Sequence, residues 1–238
     1  MSESLARIAQ NVAEVRGRIA DAAARAGLAA DSVLLLAVTK YVGLEEIRAL
    51  VAAGCADLGE SRPQQLWQRA DALHDIPVRW HLIGHLQRNK VRRTLPLVAM
   101  IHSVDSQRLA AALDEAAGEL LPPGGAPARP MPVLLEVNIS GEPAKHGLAP
   151  GEVEPLLAEV AGCRGVAVRG LMCMASLEGG LDAARRDFAA LRGLRDRLRP
   201  NAPPGVAMDE LSMGMSDDYE VAIEEGATIV RVGSALVR

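Results

Sequence analysis

The stretch Val33-Leu34-Leu35-Leu36-Ala37-Val38 is apolar without a break and stops at Thr39-Lys40. Such a run suits a strand buried on both faces, as in a parallel sheet. Outward from it the chain alternates. Leu5, Ile8, Val12, Val15 and Ile19 recur at helical spacing and predict a helix over 4–26, with Gly27 as its stop. Downstream, the pattern predicts helices over 44–53, from about 63, around 87–94, and over 106–120, 150–161, 181–198 and 217–225. Between them it predicts strands over 56–58, 80–83, 97–101, 132–139, 166–172, 208–212 and 227–232. With 33–38 that makes eight strands, and an α/β chain of 238 residues suits a single (β/α)8 TIM barrel. The helix over 4–26 is an extra element. A doubly wound open sheet would call for a Gly-rich turn after the first strand to bind a nucleotide, and no G-x-G-x-x-G follows it. The Pro/Gly-rich stretch 122–132 reads as a surface loop, because the alternation resumes at once, so one domain is expected over 1–238.

Composition narrows the function. Apolar residues make up 49% and charged residues 24%, with a net charge of −4. A nucleic-acid partner is not expected from that balance. No apolar run approaches the roughly 18–20 residues that span a bilayer, so no membrane association is expected. The N-terminus lacks the apolar block of a secretory leader. Cys55, Cys163 and Cys173 are scattered and odd in number. Free thiols in a cytoplasmic protein are expected.

Of the 26 basic residues only Lys40, Lys90 and Lys145 are lysines. Where arginine meets the general need for positive charge, a lysine is a candidate for chemistry arginine cannot perform, such as forming an imine. A barrel carries its site at the C-terminal ends of its strands. Lys40 ends the first strand, and its side chain is expected in the mouth, where desolvation would favour the free amine. The plainer reading pairs it with a carboxylate such as Glu60. The loops after strands seven and eight read Ser212-Met213-Gly214-Met215-Ser216 and Gly233-Ser234. The first runs into a predicted helix, where hydroxyls and N–H groups suit a phosphate. The plainer reading makes Ser212 and Ser216 helix caps. A reactive lysine with a phosphate anchor fits either pyridoxal phosphate or a class I aldolase. Arg231 bears on the choice. It shares a strand face with Gly233, and an arginine facing a pyridine nitrogen would leave the ring a weak electron sink. The alternative for Arg231 is an ion pair inside the barrel.

Together these residues carry a resemblance. L-L-A-V-T-K-Y at 35–41, G-E at 59–60, W-H-L-I-G-H-L-Q-R-N-K at 80–90 and I-H-S-V-D at 101–105 are followed by V-N-I-S-G-E-P-A-K-H-G-L at 137–148. G-L-M-C-M-A at 170–175, L-S-M-G-M-S-D-D at 211–218 and A-I-E-E-G-A-T-I-V-R-V-G-S at 222–234 complete the set. The chain resembles the pyridoxal phosphate homeostasis protein family, the YggS/PROSC type, which is similar to the N-terminal domain of alanine racemase. The resemblance implies a fold-type III barrel holding pyridoxal 5′-phosphate as an imine on Lys40. It implies phosphate contacts from Ser212, Gly233 and Ser234, and Arg231 near the pyridine nitrogen. Met213, Gly214, His81 and Ser61 are the further cofactor-site candidates. No catalytic residue is implied. The family carries and buffers the cofactor, with apo forms of pyridoxal phosphate enzymes as recipients, and a monomer is expected. One departure stands out: the family usually reads G-E-N where this chain reads Gly59-Glu60-Ser61, so a direct contact from Ser61 is in doubt.

The competing reading is a pyridoxal phosphate-dependent racemase or decarboxylase. Against racemisation, the chain ends soon after the last strand, so a second domain bringing the opposing base is not expected. His81 and His85 lie four apart, yet no third ligand follows in a metal pattern, and no metal is expected. Arg88, Lys90, Arg92 and Arg93 read as a solvated helix face. Lys145, three residues after Glu142, reads either as half of an ion pair or as a second aldehyde-capturing amine.

Overall fold

The computed structural model describes residues 3–120, 130–176 and 178–238. The strands are β1 (Leu34–Val38), β2 (Asp57–Glu60), β3 (Arg79–Leu82), β4 (Val98–Val104), β5 (Met131–Glu136), β6 (Val166–Met172), β7 (Glu210–Ser212) and β8 (Ile229–Val232). Each pairs in parallel with the next, and β8 pairs with β1 to close the barrel. The helices are α1 (Glu3–Arg25), α2 (Leu44–Ala52), α3 (Pro63–Ala72), α4 (Val91–Thr94), α5 (Gln107–Glu119), α6 (Val153–Val160), α7 (Gly180–Leu198), α8 (Tyr219–Glu224) and α9 (Ser234–Val237). The extra helix α1 packs on α2, α8 and α9. Its stripe Ile8, Val12, Val15, Ile19 is buried, as the spacing required.

Side-chain parity divides the strands into two cores. The outward rows, such as Leu35 and Ala37 of β1 or Val230 and Val232 of β8, join the helices in one continuous core. The inward rows form a separate cluster of Leu36, Leu134, Met172 and Ile229, with Leu34, Ile83 and Met100 against it. Burying such a side chain contributes about 1.5–3 kcal/mol. Between β6 and β7 only glycine fits. Gly170 has φ +158, and a Cβ there would lie 1.9 Å from the Glu210 carbonyl oxygen.

The differences from the sequence pattern fall at element ends. β4 continues to Val104 and so contains His102, which was expected just beyond it. β5 stops at Glu136, short of 139, because Val137 leaves the ladder to bridge Leu148. The basic segment forms one 3-10 turn, Arg88–Lys90, before the single-turn α4. The helix expected over 217–225 contracts to Tyr219–Glu224, because Asp218 Oδ1 accepts the Met215 N–H and turns the chain first. The short α9 was not expected. Most of the 122–132 loop lies outside the described residues.

Candidate functional site

The inward row of β1 is Leu34, Leu36, Val38, and Lys40 follows two residues on at the rim. Its side chain is exposed, with Nζ 4.9 Å from the centre of the exposed Tyr41 ring. The expected burial of Lys40 is therefore corrected: the polypeptide leaves this amine accessible. The pairing with Glu60 is also absent. Glu60 faces the helical layer, where it accepts hydrogen bonds from Thr39 Oγ1 and the Arg69 guanidinium. Arg69 also donates to the Thr39 carbonyl at 2.6 Å and the Val42 carbonyl at 2.5 Å. This buried arginine ties the end of β1 to α3, fixing the backbone from which Lys40 projects.

β8 lies beside β1, with Arg231 opposite Leu36. Gly233 then passes over the end of β1: a Cβ on it would stand 3.3 Å from both Val38 Cβ and the Val38 carbonyl. Ser216 Oγ accepts the Gly233 N–H at 3.2 Å and the Ala235 N–H at 3.5 Å. Neither Ser212 nor Ser216 caps α8, whose N-cap is Asp218. Gly214 has φ +89 and is crowded, since a Cβ would lie 2.5 Å from Ala222 Cβ. Met213 belongs to the outer core, so its side chain is not presented to the mouth. Ser234 is half-buried on the rim turn.

Ser212 is fully buried, and its hydroxyl points into the barrel instead of to the rim. Arg231 Nη1 donates to Ser212 Oγ at 2.8 Å, and Nη2 donates to the Cys173 carbonyl at 2.8 Å. Arg231 is 4% exposed, and among the described residues it has no carboxylate partner within 4 Å. The alternative reading of Arg231, as half of an interior ion pair, thus gives way to two neutral acceptors. Burial lowers the Arg231 pKa. Of the carboxyl groups, Asp218 and then Glu136 oppose that shift. Burial of Glu136, on the inward row of β5, reinforced by Asp105 and opposed by Arg231, pushes its carboxyl up to about 7.

His81 is buried inside the barrel, 3.0 Å from His102 and 3.1 Å from Asp57. His85 is on the rim, 3.1 Å from Asp105 and stacked on His146 with centroids 4.7 Å apart. The two histidines do not share a site. His85 gains the third neighbour its sequence context lacked, as His85, Asp105 and His146 bring their ligand atoms within 4.8 Å of one another. Ser61 is half-buried beneath Gly84, and its hydroxyl makes no hydrogen bond among the described residues. Lys145 donates to Glu142 Oε1 at 2.7 Å, the Ala175 carbonyl at 2.7 Å and Ser140 Oγ at 3.0 Å, so its three N–H donors are engaged.

Sequence reasoning placed His102 just past its strand and did not single out Asp57 or Glu136, although both fall within the expected strands. Each of the three sits on an inward row, two residues from an interior neighbour, and side-chain parity links them. What converges on the neighbouring strands β7, β8 and β1 is an accessible amine, a close turn of N–H and hydroxyl groups, and a buried cation without a carboxylate. That set suits an anionic ligand with a carbonyl for the amine and a ring or acceptor for the guanidinium.

Over residues 4–238 the chain matches the family model described as alanine racemase, N-terminal domain. It is 40% identical to the pyridoxal phosphate homeostasis protein of Pseudomonas aeruginosa, across 98% of this chain and 95% of that one. It is similar to PipY of Synechococcus elongatus, a structure solved with pyridoxal phosphate bound. That match has 35% identity and a TM-score of 0.82, and covers 97% of this chain and 100% of PipY. Alanine racemase of Corynebacterium glutamicum, 17% identical with a TM-score of 0.72, shares the fold over 98% of this chain and 61% of that one.

Proposed function

The chain belongs to the alanine racemase N-terminal domain family, among relatives named pyridoxal phosphate homeostasis proteins, and from that premise we propose that it binds pyridoxal 5′-phosphate and serves its homeostasis as a carrier. Lys40 Nζ holds the cofactor covalently through its aldehyde. The accessibility of that amine on the β1 rim supports this role. Gly233, Ser234 and Ser216 form the phosphate turn, with Gly214 allowing the β7 loop its path. Ser212 acts one step back, through Arg231. Met213 makes no side-chain contact, and Ser61 is a rim neighbour.

Bound pyridoxal phosphate supplies an aldehyde that condenses with amines and a ring that stabilises carbanions when its nitrogen is protonated. A guanidinium has donors only and acts as a hydrogen-bond partner to a ring nitrogen. Arg231 so placed leaves that nitrogen unprotonated, which favours holding the cofactor over carbanion chemistry. The observation that carries the reading is Arg231: a buried cation beside β1 with no carboxylate within 4 Å is suited to a ligand acceptor. The protein acts as one barrel domain and a monomer, in a reducing compartment such as the cytoplasm, where the unbridged Cys55, Cys163 and Cys173 stay thiols. Its recipients are apo-enzymes that need the cofactor. The test is the purified protein with added pyridoxal phosphate. A yellow adduct, bleached by borohydride, is expected. A colourless protein with no retained cofactor would overturn the proposal.

A further inference from the structure

The polar side chains inside the barrel form one line from its floor to its mouth. At the floor, Arg79 Nε donates to Asp57 Oδ1 at 2.7 Å. His81 Nε2 stands 3.1 Å from the same oxygen, and His81 Nδ1 is 3.0 Å from His102 Nε2. His102 Nδ1 is 2.9 Å from Ser212 Oγ, which accepts from Arg231 at 2.8 Å. His81, His102 and Ser212 are buried. Asp57 opens on a floor pocket of about 570 Å³ shared with Met100, Glu210 and Thr228.

The ends fix the first and last links. A carboxylate only accepts and a guanidinium only donates. Burial would raise the Asp57 pKa, but hydrogen bonds from His81 and Arg79 overcome it and hold the carboxyl at about 2, so it is ionised. Burial is the main cause that lowers the His102 pKa, so that imidazole is neutral. With one proton on each ring, one arrangement satisfies every atom. His81 Nε2–H donates to Asp57, His102 Nε2–H to His81 Nδ1, Ser212 O–H to His102 Nδ1, and Arg231 to Ser212 Oγ. Flipping His81 alone would set its lone pair against the carboxylate. Flipping His102 alone would set two lone pairs 3.0 Å apart. Apolar side chains would fill this volume without the cost of burying polar groups. What the line adds is direction.

We propose that Asp57, acting through His81 and His102, fixes the direction of the Ser212 hydroxyl and so holds Arg231 in place for the group bound above it. His81 and His102 are then positioning residues, and their effect on the cofactor rests on the reading that Arg231 meets it. The ordering itself stands apart from that reading.

The experiment is nitrogen NMR of histidine-labelled, full-length protein, which has five histidines, assigned by His81→Asn and His102→Asn. In the wild type both rings are expected as Nε2–H tautomers. In Asp57→Asn the amide carbonyl turns to Arg79 and its NH2 to His81, so both rings should switch to Nδ1–H. Pyridoxal phosphate titrated into Asp57→Asn should bind about tenfold more weakly, the equivalent of about 1.4 kcal/mol. Glu210→Gln, in the same floor pocket, should leave tautomers and affinity unchanged. Nδ1–H, doubly protonated or mixed rings in the wild type would overturn the ordering. A switched line with unchanged affinity would overturn the positioning. If wild type bound no cofactor, the proposed function would fail while the tautomer result still judged the ordering. Should Asp57→Asn not fold, His81→Gln, read the same way at His102, decides.

Discussion

The Ser216 hydroxyl accepts the Gly233 N–H at 3.2 Å, so one side chain from the loop after β7 closes the turn after β8. Gly233 in turn rests on Val38, which puts this turn beside the strand that ends in Lys40. The proposed phosphate turn and the amine are therefore positioned from the neighbouring, paired strands β8 and β1. Gly233→Ala is expected to push the turn off β1, and Ser216→Ala to loosen it. Each should weaken pyridoxal phosphate binding about tenfold, the loss of about 1.4 kcal/mol, while affecting unphosphorylated pyridoxal much less. Titrating each variant with both ligands checks this. An equal loss for both ligands would place the phosphate elsewhere.

Glu136 makes stability fall with rising pH. Its folded carboxyl titrates at about 7, above the ordinary 4.5, so between those values the folded state binds more protons than the unfolded state. Its protonation therefore supports the apo-protein fully below about pH 4.5. That support is lost as pH rises through 7, amounting to about 3 kcal/mol. Glu136→Gln is expected to flatten denaturant midpoints between pH 5 and 8 and raise stability at pH 8. Asp57 has the opposite sign: its stabilisation is present above about pH 4 and is lost as pH falls through about 2. A Glu136→Gln profile that still fell from pH 5 to 8 would assign the slope to another group.

Racemisation of L-alanine is expected to be absent at ordinary enzyme rates, about 1–10³ per second. The proposed contact of the Arg231 guanidinium with the ring disfavours carbanion formation, and the similarity to alanine racemase is one of fold. Chiral chromatography after incubation with saturating cofactor checks this. D-alanine formed at such rates would assign the protein to the racemase reading.

Lys145 is expected to serve structure. Its ammonium already donates to Glu142, Ser140 and Ala175, and its side chain is 9% exposed. Lys145→Arg should release cofactor to an apo-acceptor at the wild-type rate. Lys145→Ala should lose about 1–3 kcal/mol of stability through the unmet acceptors. Slower release from Lys145→Arg would revive a second capturing amine.

The barrel was legible because Val33–Val38 is an unbroken apolar run, which suits burial on both faces, and because strand and helix patterns alternate after it until eight strands are reached. Lys40 and Arg231 were legible because lysine is scarce and because parity ties Arg231 to Gly233. The interior line was not. Asp57 and Glu136 lie within the expected strands, but each is a lone carboxylate there and nothing in the sequence pairs it with a partner, while His102 follows an apolar run and reads as the residue just past it. The direction of Ser212 was hidden for the same reason: a serine before a glycine turn looks like a cap, and only the closed barrel shows that it faces His102. Lys40's exposure also escaped the sequence, because Arg69, far along the chain, takes the carboxylate that seemed to be its partner.

Lys40 is the most direct test. The protein is loaded with pyridoxal phosphate, reduced with borohydride, digested and mapped by mass spectrometry. The reduced pyridoxyl group is expected on Lys40, and Lys40→Ala should keep the fold, lose the yellow colour and retain weaker, phosphate-anchored binding. An adduct mainly on Lys90 or Lys145, with Lys40→Ala still yellow, would contradict the account.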